Sequence, residues 1–529
     1  MKQPLPIIRR ISLPVLLALC VCSGFAFNHQ GRDPQGRDPQ TVSRHVRAYR
    51  LAHERAIVDE FIQLLSIPNI ATDRVNIARN AEVLVAMLQR RGVRTRLLQV
   101  DGSPPVVYGE LPAPGAQRTV AVYAHYDGQP VDPSEWAGDP WKPILRDKPL
   151  DQGGKEIAWP VSSTSLDGQW RLYGRSTSDD KAPIIAWLVA LDALRAAAIA
   201  PSINLKFFFE GEEEVGSPHL RAIMEKYADL LRADVWLLCD GPVHQTRRLQ
   251  LFFGARGITG VELTVYGPTR PLHSGHYGNW APNPGMVLAH LLASMRDMEG
   301  RIQIAGFYDD VRPTTPSEQR ALAEAPDIDD ALRRELGLAR TENHGARLVD
   351  QIMLPALNLR GIRFGQVGDK ATNAIQTEAH ASIDFRLVPN QTPEKVRARV
   401  EAHIRQQGFF IVGDTPDAAT RQKHAKLIRV RWSDGYPPAR TPMDAPAARA
   451  VIQTIEEATT STIIKLPTLG GSVPMYLFAD LLNTPVIGLP IANHDNNQHA
   501  ANENIRLQNL WDGIEVFAHL LARLGVHWQ

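Results

Sequence analysis

The stretch LKFFFEGEEEVGS, residues 205–217, has four carboxylates within five residues directly after an apolar run. This run, with its three phenylalanines, predicts a short strand buried on both faces of a sheet. The carboxylates are Glu210, Glu212, Glu213 and Glu214. Because they repel one another, they indicate either a solvated acidic loop or a metal site, in which one glutamate binds the ion and its neighbour is a base. The other strand ends of the chain distinguish the two interpretations.

Four further predicted strands also lead into potential metal ligands. They are TVAVYA (119–124) before His125 and Asp127, LYG (172–174) before Asp179 and Asp180, DVWLLC (234–239) before Asp240, and PVIGLP (485–490) before His494 and His499. In an open α/β sheet the ligand crevice lies beyond the carboxyl ends of the strands, so these side chains are expected to converge. Histidine, aspartate and glutamate together suit zinc or manganese. The pattern favours a metal site in an α/β fold over a solvated loop.

The size and charge of the chain limit what else it can be. Its 529 residues are too many for one hydrophobic core, so two or more domains are expected. With 58 basic and 57 acidic residues, the chain lacks the basic excess typical of nucleic-acid binding. A composition of 44% hydrophobic and 22% charged residues is typical of a soluble globular protein.

The N-terminal segment differs from the rest. Residues 1–27 contain three basic residues, an apolar run at 11–21 and small residues near 24–26, which is the plan of a secretory signal. We expect a periplasmic or secreted protein; an uncleaved membrane anchor is the alternative, and it is the only membrane contact that the sequence predicts. Residues 28–41 contain GRDPQ twice and predict a disordered tether. Cys239 would then be the only cysteine of the mature chain, so no internal disulfide is expected.

A change of pattern between residues 257 and 432 predicts a second unit. GVELTVYG and SIDFRLV alternate apolar and polar residues, as half-exposed antiparallel strands do. Residues 284–298 predict one helix, and Thr392 followed by Pro393 predicts the start of another. Residues 141–170 predict a surface loop near the cleft. The predicted fold class is α/β: a catalytic domain (42–256 and 436–529) with a mostly parallel sheet flanked by helices, and an inserted α+β unit (257–435), here called the lid.

Eight segments, in this order, resemble the di-zinc exopeptidases, a family that includes carnosine-type dipeptidases, glutamate-releasing carboxypeptidases and aminoacylases. The segments are AHYDGQPVDP (124–133), YGRSTSDDKAP (173–183), EGEEEVGS (210–217), LLCDG (237–241), PLHSGHYG (271–278), SIDFRLVPNQTPE (382–394), LGGSVP (469–474) and NQHAANE (497–503). The dipeptidase branch of the family fits them most closely. Ser176 and Ala182 stand where the family often has glycine, and the inserts at 141–170 and 306–350 suggest a cleft edge particular to this chain.

The resemblance implies two divalent ions per chain, with zinc favoured and manganese the alternative. His125, Asp179 and Asp240 would hold one ion. Asp179, Glu214 and His499 would hold the other, so that Asp179 bridges the pair. Asp180 is the alternative to Asp179 and His494 the alternative to His499; the family's Asp-x-Lys and His-x-x-Asn-Glu spacings favour Asp179 and His499.

Catalytic roles follow from the same resemblance. The residues alone do not order the adjacent glutamates, but the resemblance implies that Glu213 is the general base for a water activated by the metal. Asp127 would bind the ring nitrogen of His125 that faces away from the metal. His273 would stabilise the oxyanion of the scissile carbonyl. In the family this histidine comes from the partner subunit, which implies a homodimer formed through the lid.

The substrate would be a small peptide with a free carboxylate. Arg386 would bind that carboxylate through two parallel hydrogen bonds, although a solvated arginine on an open sheet face is the alternative. The resemblance implies further polar contacts from Asn373, Gly471 and Ser472. We therefore expect a metallopeptidase that hydrolyses dipeptides or removes the C-terminal residue of a peptide. An N-acyl amino acid deacylase on the same fold is the alternative, and a non-catalytic peptide-binding protein is disfavoured because every ligand and Glu213 are present.

Overall fold

The computed structural model describes Met1, residues 36–159 and residues 165–528. The predicted signal at 1–27, apart from Met1, and the predicted tether up to residue 35 lie outside the described residues. The first helix begins at Pro39 and is capped by Asp38, so regular structure starts inside the range predicted as tether. Among the helices of the described residues, none combines the length and the apolar character needed to cross a membrane.

The described residues form α-helices and β-strands whose bounds are as follows. The helices are α1 (Pro39–Leu65), α2 (Arg74–Gln89), α3 (Lys181–Ala196), α4 (Leu220–Lys226), α5 (Ala228–Leu231), α6 (Ser274–Tyr277), α7 (Pro284–Met295), α8 (Pro316–Glu324), α9 (Asp329–Glu335), α10 (Leu348–Gln351), α11 (Pro393–Gln406), α12 (Ala418–Lys423), α13 (Pro446–Ala458), α14 (Met475–Leu482) and α15 (Leu507–His527). The strands are β1 (Arg94–Leu98), β2 (Val106–Leu111), β3 (Thr119–His125), β4 (Ile144–Arg146), β5 (Arg171–Tyr173), β6 (Asn204–Glu210), β7 (Val235–Leu238), β8 (Gln250–Phe252), β9 (Gly254–Ala255), β10 (Gly257–Tyr266), β11 (Leu272–His273), β12 (Ala356–Arg363), β13 (Ala374–Ile375), β14 (Glu378–Leu387), β15 (Phe410–Val412), β16 (Leu427–Trp432), β17 (Ala439–Arg440), β18 (Ile464–Leu466), β19 (Val486–Gly488) and β20 (Asn504–Arg506).

The larger sheet has eight strands in the order β1-β2-β6-β3-β7-β19-β8-β18. Its central strands β6, β3, β7 and β19 run parallel to one another, and β2 beside β6 and β8 beside β19 are antiparallel to them. In β6, Phe207 and Phe209 pack into one hydrophobic core and Phe208 into the other, because successive side chains of a strand point to opposite faces. Helices α1, α3, α13 and α15 pack together in the first core, and α14 with α4 lies in the second. The sheet is therefore covered on both faces, as its phenylalanine run predicted.

The lid has its own sheet and its own core. Its five strands are ordered β12-β14-β10-β16-β15 and are antiparallel except for β15 with β16. The core residues of this sheet all lie between Val261 and Ile428, and they include residues of α7 and α11. The predicted N-cap is present, since the Thr392 hydroxyl accepts the N–H of Lys395. The predicted fold class, an α/β chain with a helix-flanked sheet and a second α+β unit, is confirmed.

Two local predictions were wrong. The helix predicted over 284–298 ends at Met295, because Arg296 adopts an extended backbone and bridges to Ile302. The segment 141–170, predicted as a surface loop, contains β4, which pairs with β5 in a three-stranded sheet with β20. Leu145 is buried in this sheet and anchors the segment to the catalytic core.

The chain passes between the two large sheets twice, and the two passages run side by side. Residues 254–258 and 436–440, here called the crossover ribbon, pair antiparallel through Gly254 with Arg440, Ala255 with Ala439, and Ile258 with Tyr436. The ribbon is tightly spaced, because a Cβ atom on Gly257 would lie 2.5 Å from the carbonyl oxygen of Tyr436. A glycine is therefore required where the two passages meet.

Candidate metal centre

Side chains from separate strand ends converge beyond the carboxyl edge of the larger sheet. His125 ends β3, Glu213 and Glu214 follow β6, and Asp240 follows β7. Potential ligand atoms of His125, Asp179 and Glu214 all lie within 4.8 Å of one another, and so do those of His125, Glu213 and Asp240. The edge of a parallel sheet is where such convergence was expected.

Asp179 lies between the two predicted histidine ligands. Its Oδ1 is 2.9 Å from Nε2 of His125. Its Oδ2 is 3.2 Å from Nε2 of His499, and the same nitrogen is 3.3 Å from Oε2 of Glu214. The two oxygens of Asp179 thus face different histidines, which is the arrangement that a bridging carboxylate requires.

The two alternative ligands lie elsewhere. Asp180 accepts the backbone N–H of His125 at 3.3 Å, and its other carboxylate oxygen is buried without a partner in the described part of the chain. His494 belongs to neither cluster, and its Nδ1 is likewise buried and without a partner there. The geometry therefore favours Asp179 over Asp180 and His499 over His494.

Asp127 is fully buried and orients two parts of the site at once. Its Oδ1 lies 3.4 Å from Nδ1 of His125, the ring nitrogen opposite the one that faces Asp179. Its carboxylate also accepts the backbone N–H groups of Glu213 at 3.1 Å and Glu214 at 3.0 Å. One carboxylate therefore fixes both the histidine ring and the turn that carries the glutamate pair.

The acids of the site carry more negative charge than the protein compensates. Burial raises the pKa of Glu214 to about 7 and that of Asp240 to about 6, with the nearby Asp179 adding to both shifts. Burial likewise raises the pKa of Glu213 well above its usual range. For Asp179 burial acts in the same direction, but hydrogen bonds with His125 and His499 outweigh it and hold its pKa well below the usual range. Divalent cations would supply the missing positive charge, and the nitrogen and oxygen donors fit zinc or manganese.

Two residues without a predicted role support this cluster. Gln129 donates to Oε2 of Glu214 at 2.7 Å. Glu503, fully buried, accepts the backbone N–H groups of Ser176, Ser178 and Asp179 and pairs with Arg175 at 2.9 Å. Glu503 therefore holds the loop that carries Asp179. Glu503 ends the segment NQHAANE (497–503), but the sequence alone does not show which loop the Glu503 carboxylate contacts.

The predicted substrate residues form two groups. Arg386 of β14 donates through Nη1 to the Ser472 hydroxyl at 2.8 Å, and its Nε lies 3.3 Å from Asp384. Gly471 directly precedes Ser472 in the chain, and its carbonyl accepts the backbone N–H of Arg256. The lid and the 469–474 segment thus meet at Arg386.

His273 and Asn373 form the second group, on the small ribbon of β11 and β13. The Asn373 carbonyl accepts the N–H of Ser274 at 2.9 Å, and His273 pairs with Ala374. Both residues are exposed, and no hydrogen bond or ion pair within the described residues joins either side chain to the metal cluster or to Arg386. The prediction that Asn373 acts beside Gly471 and Ser472 therefore finds no support within this chain.

A sheet with buried histidine and carboxylate ligands at its strand ends, and a glutamate beside them, defines a metal-dependent hydrolase of the α/β class. Comparison with known proteins narrows this class to one family. Residues 121–523 match the family model described as Peptidase family M20/M25/M40, and the chain belongs to that family. The resemblance found in the sequence is thereby confirmed.

Individual relatives cover most of the chain. The Cys-Gly metallodipeptidase dug1 of Schizosaccharomyces pombe is 27% identical over 497 residues, which cover 88% of this chain and 96% of that protein. The Beta-Ala-His dipeptidase of Homo sapiens is 27% identical over 499 residues, covering 88% of this chain and 90% of the human protein. Among solved structures, the M20 family metallo-carboxypeptidase Sso-CP2 from Sulfolobus solfataricus has a TM-score of 0.71 at 28% identity, covering 89% of this chain and 99% of that one.

Proposed function

We propose that the protein is a metal-dependent exopeptidase that hydrolyses dipeptides or removes the C-terminal residue of short peptides. The observation that carries the proposal is the hydrogen bond between Arg386 and Ser472, which joins the lid to the 469–474 segment at a cationic group suited to a carboxylate. Relatives named as dipeptidases and a solved relative named as a carboxypeptidase support it. Their names favour peptides over N-acyl amino acids, the alternative substrates that would use the same carboxylate contact.

The site residues divide the chemical work. Bound divalent ions would polarise the scissile carbonyl and lower the pKa of a water molecule. Glu213 takes the proton from the attacking water and returns it to the leaving nitrogen. Asp127 keeps the His125 ring and the Glu213 backbone in place, since it contacts both. Arg386 and Ser472 hold the terminal carboxylate of the substrate.

We infer that the cleft is completed by a second copy of the chain. His273 is exposed on the lid, and its Nδ1 accepts the N–H of Gly275 at 3.1 Å. The other ring nitrogen, Nε2, is then a hydrogen-bond donor for an oxyanion. Asn373 lies on the same ribbon, so we propose that the two residues enter the partner's cleft together.

The open edge of the lid sheet offers a surface for such a homodimer. Strand β12 is the terminal strand of that sheet, and most of its residues are exposed. Within β12, Leu359 is 44% exposed and Ile362 45%; just beyond its end, Phe364 is 41% exposed and Val367 88%. An exposed apolar edge of this kind tends to pair with another chain. We therefore propose that two lids associate along β12.

The proposal also covers the ions and the location of the protein. We propose zinc as the native ion, with manganese as the alternative, because both accept this ligand set. We also propose export, on the basis of the signal pattern at residues 1–27. Fractionation of the source cells with N-terminal sequencing tests export; a cytoplasmic protein that begins at Met1 would contradict it.

A substrate panel tests the function. Purified protein is freed of metal with a chelator, reloaded with zinc or manganese, and incubated with dipeptides, longer peptides and N-acyl amino acids. Mass spectrometry identifies the products. We expect dipeptides, or loss of one C-terminal residue, to give the fastest turnover, with no turnover before reloading. Faster turnover of N-acyl amino acids would replace the proposal with the deacylase, and an inactive metal-loaded protein would refute both.

A further inference from the structure

A tyrosine without an assigned role lies in the same row of the lid sheet as Arg386. Arg386 of β14 pairs directly with Ile258 of β10, and Ile258 pairs on its other side with Tyr436. Residues directly opposite one another on antiparallel strands project from the same face of the sheet. Arg386, Ile258 and Tyr436 therefore form one row across that face, with the half-buried Ile258 in the middle.

The Ser472 hydroxyl connects both ends of this row. Arg386 donates to it at 2.8 Å, and the same hydroxyl lies close enough to the Tyr436 hydroxyl to lower the pKa of that tyrosine. The Arg386 guanidinium, the Ser472 hydroxyl and the Tyr436 hydroxyl can each donate a hydrogen bond, so three donor groups lie close together at this point. A substrate carboxylate has about four lone-pair sites and matches such a group of donors.

The Tyr436 ring is held in place by its surroundings. It stacks on the Tyr476 ring at a centroid distance of 4.9 Å and an interplanar angle of 4°. Its backbone N–H donates to the Ile258 carbonyl at 2.9 Å, and its carbonyl accepts the N–H of Ile258 at 3.1 Å. The ring is therefore fixed before substrate binds, so little conformational entropy is lost when its hydroxyl makes a new contact.

Burial and nearby charged groups both act on the Tyr436 hydroxyl. Burial raises the pKa of the Tyr436 hydroxyl; the hydrogen bond with Ser472 and the Arg386 guanidinium oppose the shift, whereas the Tyr476 and Glu213 charges add to it. The hydroxyl is thus protonated at neutral pH and acts as a donor.

We propose that Tyr436 is a substrate-binding residue whose hydroxyl donates a hydrogen bond to the terminal carboxylate beside Arg386 and Ser472. The inference rests on the proposed exopeptidase function and specifies its substrates: peptides with a free terminal carboxylate, whose last side chain packs against Ile258 and the Tyr436 ring. A peptide amide lacks the charge that these donors recognise.

Binding measurements test this without depending on turnover. The probe is a reduced-bond analogue of Ala-Leu, in which CH2–NH replaces the peptide bond, prepared as the free acid and as the amide. Calorimetric titration of the zinc-loaded protein gives Kd for each. In Tyr436→Phe, which keeps the ring and its stacking, we expect Kd for the acid to rise about ten- to hundredfold, as for a lost hydrogen bond to a charged group, and Kd for the amide to change less than threefold. Tyr266→Phe is the matched control. Tyr266 ends β10 of the same sheet, and its buried hydroxyl has no hydrogen-bond partner among the described residues.

The possible results distinguish a failure of the role of Tyr436 from a failure of the exopeptidase function. Equal changes for the acid and the amide, or no change for either, would overturn the role of Tyr436, provided that circular dichroism shows the variant to be folded. A wild-type protein that binds the acid more tightly than the amide but hydrolyses no peptide of the substrate panel would refute the exopeptidase, and the Kd values of Tyr436→Phe would still decide the role of Tyr436. If the wild-type protein hydrolyses peptides and the Kd of Tyr436→Phe for the acid is unchanged, the exopeptidase is supported and the role of Tyr436 is refuted.

Discussion

Adjacent Glu213 and Glu214 have different surroundings, and this difference supports different roles. Oε2 of Glu214 accepts from Gln129 and faces His499 at 3.3 Å. Among the described residues, no side chain donates a hydrogen bond to the Glu213 carboxylate, which is grouped with His125 and Asp240. A base must be free to accept a proton, whereas a ligand benefits from being held. The geometry thus agrees with the order that the resemblance implied.

The prediction at this scale is that Glu213→Gln keeps the metal and loses turnover. The amide removes the proton acceptor and leaves the ligands intact, so we expect kcat to fall by about 10²- to 10⁴-fold. Elemental analysis should find the wild-type metal content. Glu212→Gln is the matched control, because the Glu212 carboxylate binds His219, at 2.9 Å from Nδ1, instead of the metal cluster. Full activity of Glu213→Gln would reject Glu213 as the base.

The sequence predicted the positions of the candidate ligands better than it predicted the residues that support them. Ligands follow strands, and strands are visible as short apolar or alternating runs, so His125, Asp240 and the glutamate pair could be placed at one sheet edge before the structure was known. The contacts of Glu503 and Tyr436 could not be predicted in this way. Glu503 binds a loop 324 to 328 residues away, and Tyr436 reaches Arg386 through a sheet row that depends on the register of β10. Such long-range pairings leave no local pattern.

At the scale of elements, periodicity predicted the strands well and the segment ends less well. The strand β14 is clear from its sequence because buried and half-buried residues alternate along most of its length. The end of α7 at Met295 depends on a bridge between Arg296 and Ile302, and the strand β4 depends on its partner β5. In both cases a contact formed only in the folded chain decides where the element ends or begins.

The crossover ribbon gives a prediction about stability. In Gly257→Ala the new Cβ would lie 2.5 Å from the Tyr436 carbonyl oxygen, so the two passages must move apart. We expect the free energy of unfolding to fall by about 1–3 kcal/mol, the usual cost of overpacking. Urea denaturation followed by circular dichroism measures it. Gly413→Ala is the control, since its Cβ would meet no atom within 4 Å; equal effects in the two variants would contradict this explanation.

At the scale of the whole molecule, the lid presents an apolar strand edge and an exposed histidine on the same unit. Among the described residues, no strand pairs with the outer edge of β12 and no hydrogen bond joins His273 to the metal cluster, and a second copy would supply both contacts. The isologous symmetry of a dimer would then place two clefts in each assembly, each built from two chains. This arrangement makes a test by mixing possible.

The prediction is that two inactive variants restore activity in mixed dimers. Glu213→Ala keeps His273, and His273→Ala keeps Glu213. When they are unfolded and refolded together, about a quarter of all clefts should combine an intact Glu213 with an intact His273 from the other chain. Differently tagged chains verify that mixed dimers form. If activity stays at the level of the separate variants despite such dimers, His273 acts within its own chain or not at all.

The crossover ribbon also bears on how such a chain could arise. Because the lid leaves and rejoins the catalytic sheet through hydrogen-bonded neighbours, Ile258 and Tyr436, the two ends of the lid lie side by side. A unit whose ends are adjacent and which has its own core is transplantable: it can be inserted into a connection of another fold, exchanged or deleted while the strands on either side of it stay in register. Because Arg386 lies within the lid and Tyr436 directly follows it, exchanging the lid at this junction would also change the proposed contacts to the substrate carboxylate. In this architecture, modular replacement of the lid and a change of substrate preference are therefore a single event.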